Sequence, residues 1–225
     1  MPTDVVNPFE QNLMNMPAYY AARASEYDLV YQKPERQADL ARLQSWLPPW
    51  FAGLRVLEIA CGTGYWTQFI APQAKEMVAL DAAPETMAIA RPRVAGHRVE
   101  FVQGDAYQIP PELGQFDAAF AGFWFSHIPK SRQREFLLGL KARLQPGAGI
   151  VLIDNLFVPG SSSPISETDA EGNTWQLRPL ADGSTHRVLK NFPDEVELKE
   201  LVADVGQAPE YTNFGYFWAL RFVVG

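Results

Sequence analysis

Three acids, Glu58, Asp81 and Asp105, stand in or just beyond short apolar runs, and Gly62 and Gly64 follow the first of them. A carboxylate can accept hydrogen bonds from both hydroxyls of a ribose, which suits Asp81, 17 residues after Gly64. Asp105 is placed to accept from an exocyclic amino group, and glycine, lacking Cβ, lets backbone approach a ligand closely. Each feature has a plainer reading as well. Gly62-Thr63-Gly64 also fits an ordinary tight turn, Asp81 the N-cap of a helix opening at Pro84, and Asp105 a solvated turn. What favours a shared cleft is that the three acids fall in the same register of three successive runs. A fourth run ends at Gly122, and Phe123, Trp124, Phe125 and His127 follow it.

The elements that must carry these residues alternate. Leu40, Leu43 and Leu47 fall at helical spacing after Glu35, and Pro48-Pro49 closes that helix. Strands are expected from Arg55, over 77–81, 99–103, 116–122 and 149–154. Helices are expected around Trp66 to Ile70, over 84–90, and over 131–144 with Leu137, Leu140 and Leu144 on one face. Pro146-Gly147 reads as a turn. This alternation predicts a parallel sheet with right-handed crossovers, in which ligands bind outside the carboxyl ends of the strands where the topology switches. Residues 156–192 break the cycle: they are rich in Ser, Pro, Thr, Asp and Gly and contain a hairpin around Asp182-Gly183-Ser184. A last helix with Leu198, Leu201, Val202 and Val205 on one face and two strands joined through Gly215 complete the chain. Those two strands must run antiparallel.

The 225 residues suit one α/β domain, organised as an N-terminal helix over 1–50, a core over 55–155, a variable insertion over 156–192 and a terminal unit over 193–225. The net charge of −7 without a basic run argues against a nucleic-acid partner. The opening residues do not read as a secretory signal and no stretch approaches membrane-spanning length, so a cytoplasmic protein with no membrane partner is expected. Cys61 is the only cysteine. No residue set is read as a metal site.

Val56-Leu-Glu-Ile-Ala-Cys-Gly-Thr-Gly64 resembles the first signature of class I S-adenosylmethionine-dependent methyltransferases. Leu80-Asp81, Gly104-Asp105-Ala106, Phe116-Asp117 leading to Ser126-His127-Ile128, and Leu144-Gln-Pro-Gly147 resemble the rest of that family's pattern, over roughly residues 55–155. The resemblance implies a Rossmann-like α/β fold, a seven-stranded mostly parallel sheet with an antiparallel last strand and helices on both faces. It also implies S-adenosylmethionine as methyl donor and S-adenosylhomocysteine as product. Glu58 would face the methionine amino end, the backbone of Ala60, Cys61, Gly62, Thr63 and Gly64 would line that part of the cofactor, and Asp81 would hold the ribose. Met87 and Ala82 would pack near the adenine, Asp105 and Ala106 would bound its amino edge, and Gly122 would close the crevice. Tyr20, Arg23 and Tyr27 resemble an N-terminal cover. Ala60 stands where the family often has glycine, and its methyl group should crowd the loop only slightly.

The acceptor side is less determined. His127 is read as an orienting residue or a general base for methyl transfer to a small-molecule acceptor. Phe123 and Trp124 are read as substrate contacts together with Tyr27 and, more distantly, His186, whereas Phe125 reads as core. Arg178 and Arg187 could meet an acidic substrate but read first as solvated cations, and His97 reads as a solvated histidine. The long segment before Asn191 reads as the element that selects the acceptor. Two other functions fit less well. A nicotinamide-dependent oxidoreductase would need a third glycine that Gly62-Thr-Gly64-Tyr-Trp-Thr67 lacks. A non-catalytic S-adenosylmethionine-binding module would keep the cofactor pocket without needing an aromatic-lined acceptor side.

Overall fold

Five short apolar runs become five parallel strands: β1 (Arg55–Ile59), β2 (Glu76–Asp81), β3 (Val99–Gln103), β4 (Phe116–Gly122) and β5 (Leu144–Asn155). The computed structural model describes residues 24–180 and 183–225, with side chains from residue 28 onward. Most of β1, β2, β4 and β5 is apolar on both faces because both faces are covered. Leu57, Ile59, Ile150 and Leu152 pack on one side, against Leu137 and Leu140 of one helix and Leu198 and Val202 of another. Val56, Val151 and Ile153 pack on the other side, against Leu40, Leu43 and Ile70. The helices are α1 (Gln37–Trp46), α2 (Thr67–Ile70), α3 (Pro84–Arg93), α4 (Lys130–Lys141) and α5 (Glu195–Val202).

Two terminal strands, β9 (Gly206–Asn213) and β10 (Phe217–Val224), extend the sheet to the order β3-β2-β1-β4-β5-β10-β9. β10 runs antiparallel to both β5 and β9, so it is the one reversed strand of the seven. The chain moves outward from β1 to β3 and then returns to place β4 on the other side of β1. The topology therefore switches between the carboxyl ends of β1 and β4, where the first glycine loop and Gly122 lie.

Residues 156–192 carry a separate small sheet of β6 (Glu167–Thr168), β7 (Thr174–Pro179) and β8 (Thr185–Leu189). Gln176, Arg178, Val188 and Lys190 alternate onto one face of this hairpin, and Trp175 and Leu189 onto the other. Asn191 fastens it to the main sheet: its backbone N–H donates to Ser126 O at 2.8 Å and its side-chain amide to Ile128 O at 3.1 Å.

Several elements differ from expectation. Pro146-Gly147 does not separate α4 from β5 but interrupts β5, whose pairing with β4 breaks between Phe116 and Ala118 and resumes at Gly149. α3 runs past Ala90 to Arg93 and tolerates Pro92 in its last turn. The final helix starts after Asp194, two residues past the Pro193 that the sequence offered as its opening residue, because Asp194 and Glu197 form a reciprocal capping box. A 3-10 segment at Ala24–Tyr31 and the short β6 carried no apolar periodicity to betray them. Among the described residues, no helix is long and apolar enough to cross a membrane.

Candidate active site

The loop after β1 is built from left-handed backbone. Ala60, Gly62 and Gly64 have φ of 54°, 54° and 73°. A Cβ on Gly64 would lie 2.8 Å from Ala90 Cβ, so glycine is required there by both conformation and space. At Ala60 the difficulty is conformational, since a non-glycine residue in this region costs about 1–2 kcal/mol; the expected crowding is not the relevant term. The loop is held open by Cys61 N–H donating to Leu80 O at 3.1 Å and by Gly62 N–H donating to Asp81 Oδ2 at 2.7 Å. The other Asp81 oxygen accepts from Ala83 N–H at 2.8 Å, an Asx turn; the N-cap of α3 is Ala83, with no side-chain cap, so Asp81 is not the helix cap that its sequence position also allowed. Burial raises the Asp81 carboxyl above its ordinary value, with the Ala83 and Gly62 donors opposing that rise.

Glu58 lies one residue before the end of β1 and is 2% exposed. Among the described residues, its Oε2 atom and the Thr67 hydroxyl have no hydrogen-bond partner. Burial pushes the carboxyl up to about 8; the Thr67 hydroxyl opposes this and the Asp81 charge adds to it. A buried carboxyl with an unused oxygen, beside a loop whose backbone admits close approach, fits a ligand bearing a cationic amino group. The residues present therefore suit the amino-acid end of the implied cofactor.

Farther along the same rim, Met87 is buried with Cys61 and Ala79, and Ala82 is exposed. Ala106 is buried, whereas Asp105 is exposed and accepts from Tyr107 N–H at 2.9 Å, the solvated-turn geometry. Burial pushes the Cys61 thiol up, which keeps it protonated. Thr63 points away toward the 3-10 segment, donating to Asp28 Oδ1 at 2.7 Å, and Arg93 also reaches Asp28. Tyr20 and Arg23 lie outside the described residues, as does the side chain of Tyr27.

On the β4 side, Gly122 is tightly enclosed: a Cβ there would meet Phe120 Cζ at 2.8 Å and Trp66 Cδ1 at 3.1 Å. Phe123 has φ 59° and is buried among rings, stacked on Trp66 at 5.7 Å and edge-on to Tyr31 at 5.5 Å. Trp124 is half-buried near Tyr107, and its indole N–H has no partner among the described residues. Phe125 is core, fully buried. His127 is buried, with Nδ1 at 2.6 Å from Leu189 O. A carbonyl only accepts, so the proton sits on Nδ1 and Nε2 is the acceptor nitrogen. Burial, then the Lys190 and Arg178 charges, hold this imidazole well below its ordinary range, so it is neutral at pH 7. His186 contacts Ser184 Oγ at 2.9 Å and stands opposite Arg178 on the hairpin.

Beside these residues, past the end of β5, a cavity of about 360 Å³ lies between the main sheet, the small sheet and the segment before α1. Lys33, Arg36, Asn155, Ser161, Arg178 and Lys190 line it. Lys190 is buried and donates at 2.6 Å to both Ser126 Oγ and Asp154 Oδ1. Burial pushes the Asp154 carboxyl up, yet the Lys190 charge leads the opposing effects that hold it below the usual carboxylate range. Arg36 donates to Ser161 Oγ at 2.9 Å and Asn155 Oδ1 at 3.0 Å. Arg187, by contrast, pairs with Glu167 and covers the Trp175 ring. Sequence reasoning missed Lys33, Arg36, Asn155 and Lys190; it read Arg178 first as solvated, with contact to an acidic substrate as the alternative. Only Asn155 carried a usable signal, because it ends a parallel strand.

Residues 56–147 match the family described as "Methyltransferase domain". The chain is 29% identical over 184 residues to a demethylmenaquinone methyltransferase of Lactococcus lactis subsp. lactis (strain IL1403), covering 72% of this chain and 69% of that protein. The solved DhpI–SAH complex is 30% identical, with a TM-score of 0.75 over 95% of this chain and 97% of the other. The DhpI–SAM–HEP complex is 29% identical, with a TM-score of 0.78 over 94% of this chain and 97% of the other.

Proposed function

This chain belongs to the class I S-adenosylmethionine-dependent methyltransferases, and from that premise we propose that it methylates a small-molecule acceptor held beside the carboxyl ends of β4 and β5. The observation that carries the reading is the buried, unused Glu58 oxygen at the left-handed loop of Ala60, Gly62 and Gly64, with Asp81 bonded to that same loop. When bound, the cofactor supplies a methyl group already activated on a sulfonium. The chain's own residues then have to bind, align and exclude water.

In this reading Glu58 faces the cofactor's amino group, and backbone from Ala60 to Gly64 lines its amino-acid end. Asp81 accepts from the ribose, Met87 and Ala82 pack on the adenine, and Asp105 with Ala106 bounds its amino edge. Gly122 leaves room at the switch point, and Trp124 walls the acceptor side. His186 approaches the acceptor from the small sheet. Phe123 acts from behind by bracing this wall, which its enclosure among Trp66 and Tyr31 supports. His127 orients the turn after β4 through Leu189, because an imidazole held so far below its ordinary range is a weak proton acceptor. A small acceptor is supported by the relative named for demethylmenaquinone and by the limited volume of the cavity.

Calorimetric titration with S-adenosylhomocysteine tests the reading. Asp81→Ala removes a charged acceptor, and affinity is expected to fall roughly ten- to a hundredfold. Unchanged affinity would remove Asp81 from the site, and no binding by the unaltered protein would defeat the reading itself.

A further inference from the structure

Cations cluster in the cavity beyond β5 although the chain as a whole carries a charge of −7. Four basic side chains line it: Lys33, Arg36, Arg178 and Lys190. Lys190 is satisfied by Asp154. The other three have no carboxylate within ion-pair distance among the described residues. Arg178 spends Nε and Nη2 on the neutral Gln176 Oε1, at 3.2 and 2.8 Å. Arg36 spends Nε and Nη1 on Ser161 and Asn155, also neutral. Lys33 donates to the Ser161 carbonyl. The nearest acid on this side, Glu35, is engaged by the Ser161 hydroxyl at 2.7 Å and so faces Arg36 through that serine.

Among the described residues, Arg36 Nη2 and Arg178 Nη1 therefore keep unspent donors, with the Lys33 ammonium beside them and the Arg36 guanidinium lying over the Tyr216 ring at 5.3 Å. Three charges brought together, with Glu35 as their one nearby acid among the described residues and none in ion-pair contact with it, repel one another, an arrangement that a bound anion relieves. Guanidinium forks match the spacing of two oxygens on one centre, and the neighbouring Ser162, Ser163 and Gln176 add neutral polar groups around them.

We propose that this cavity binds the anionic head of the methyl acceptor, an oxyanion of the carboxylate, sulfate or phosphate kind, gripped by Lys33, Arg36 and Arg178. The assignment of that anion to the acceptor rests on the methyltransferase reading above, since the cavity lies one strand beyond the switch point where the cofactor is placed. The anion site itself rests on the side chains.

Calorimetry with inorganic phosphate, sulfate and acetate, each at constant ionic strength, measures the site directly, and a parallel titration with S-adenosylhomocysteine reads the cofactor crevice. At least one of the three anions is expected to bind, and the strongest identifies the head group. Arg178→Gln and Lys33→Gln, chosen because Arg36 is buried in the structure, are each expected to weaken that anion about tenfold or more. Both are expected to leave affinity for S-adenosylhomocysteine within about twofold. Absence of binding by all three anions, or binding that both variants leave unchanged, would overturn the proposal. Failure of S-adenosylhomocysteine to bind the unaltered protein would instead strike the cofactor reading, with the anion titrations deciding the site on their own.

Discussion

A carboxyl group buried with an unpaired oxygen is costly when ionised, and Glu58 is such a group. Its folded value is raised from the ordinary 4.5 to about 8, so between these values the folded protein binds more protons than the unfolded chain. The contribution to stability is complete below the ordinary value and is lost as pH rises through the raised one, at up to about 1.4 kcal/mol per pH unit. Denaturation of the ligand-free protein at a series of pH values should show this slope, and Glu58→Gln should flatten it. A ligand's ammonium reverses the preference by favouring the ionised form. Binding of S-adenosylhomocysteine at pH 7 is therefore expected to release about one proton, measured as heat that varies with the ionisation enthalpy of the buffer. Glu58→Gln should abolish that release, and an unaltered release in this variant would assign it elsewhere.

At the scale of elements, the acceptor side depends on how the small sheet is fastened to the large one. Asn191 is 1% exposed and bridges Ser126, Ile128 and Thr174. Asn191→Ala keeps the backbone bond to Ser126 but leaves the Ile128 carbonyl and the Thr174 N–H unpaired, and is expected to cost about 2–4 kcal/mol. Hydrogen exchange should quicken in β7 and β8 before it does in β1 to β4. The rim that carries Glu58, Gly62 and Asp81 was legible in the sequence because each run is short, apolar and closed by a glycine or an acid, and strand-helix alternation makes the runs parallel, so their carboxyl ends share one edge. Of the charged cavity, only Arg178 was open to a reading as an anion contact. Arg36 meets Asn155 and Ser161 across 119 and 125 residues, and no local spacing encodes such a meeting. The aromatic run after β4 was ambiguous for a different reason. Phe123 turns inward because its φ is positive, a backbone property that residue type does not reveal at a phenylalanine.

At the scale of the molecule, a single stretch touches both halves of the site. Asp28 holds Thr63 of the cofactor loop and Arg93 of α3, while Leu29, Val30 and Lys33 line the charged cavity. A partition shared by two chambers cannot shift for one without being felt in the other. Donor and acceptor should therefore alter each other's affinity, and equilibrium linkage requires the factor to be identical in both directions. Titrating S-adenosylhomocysteine with and without the bound anion, and then the reverse, measures it twice. Asp28→Asn, by loosening the tie on one side only, should bring that factor toward unity. The order in which the two molecules arrive would then cease to matter, and a reaction that needs both would lose the means by which the first prepares the place of the second.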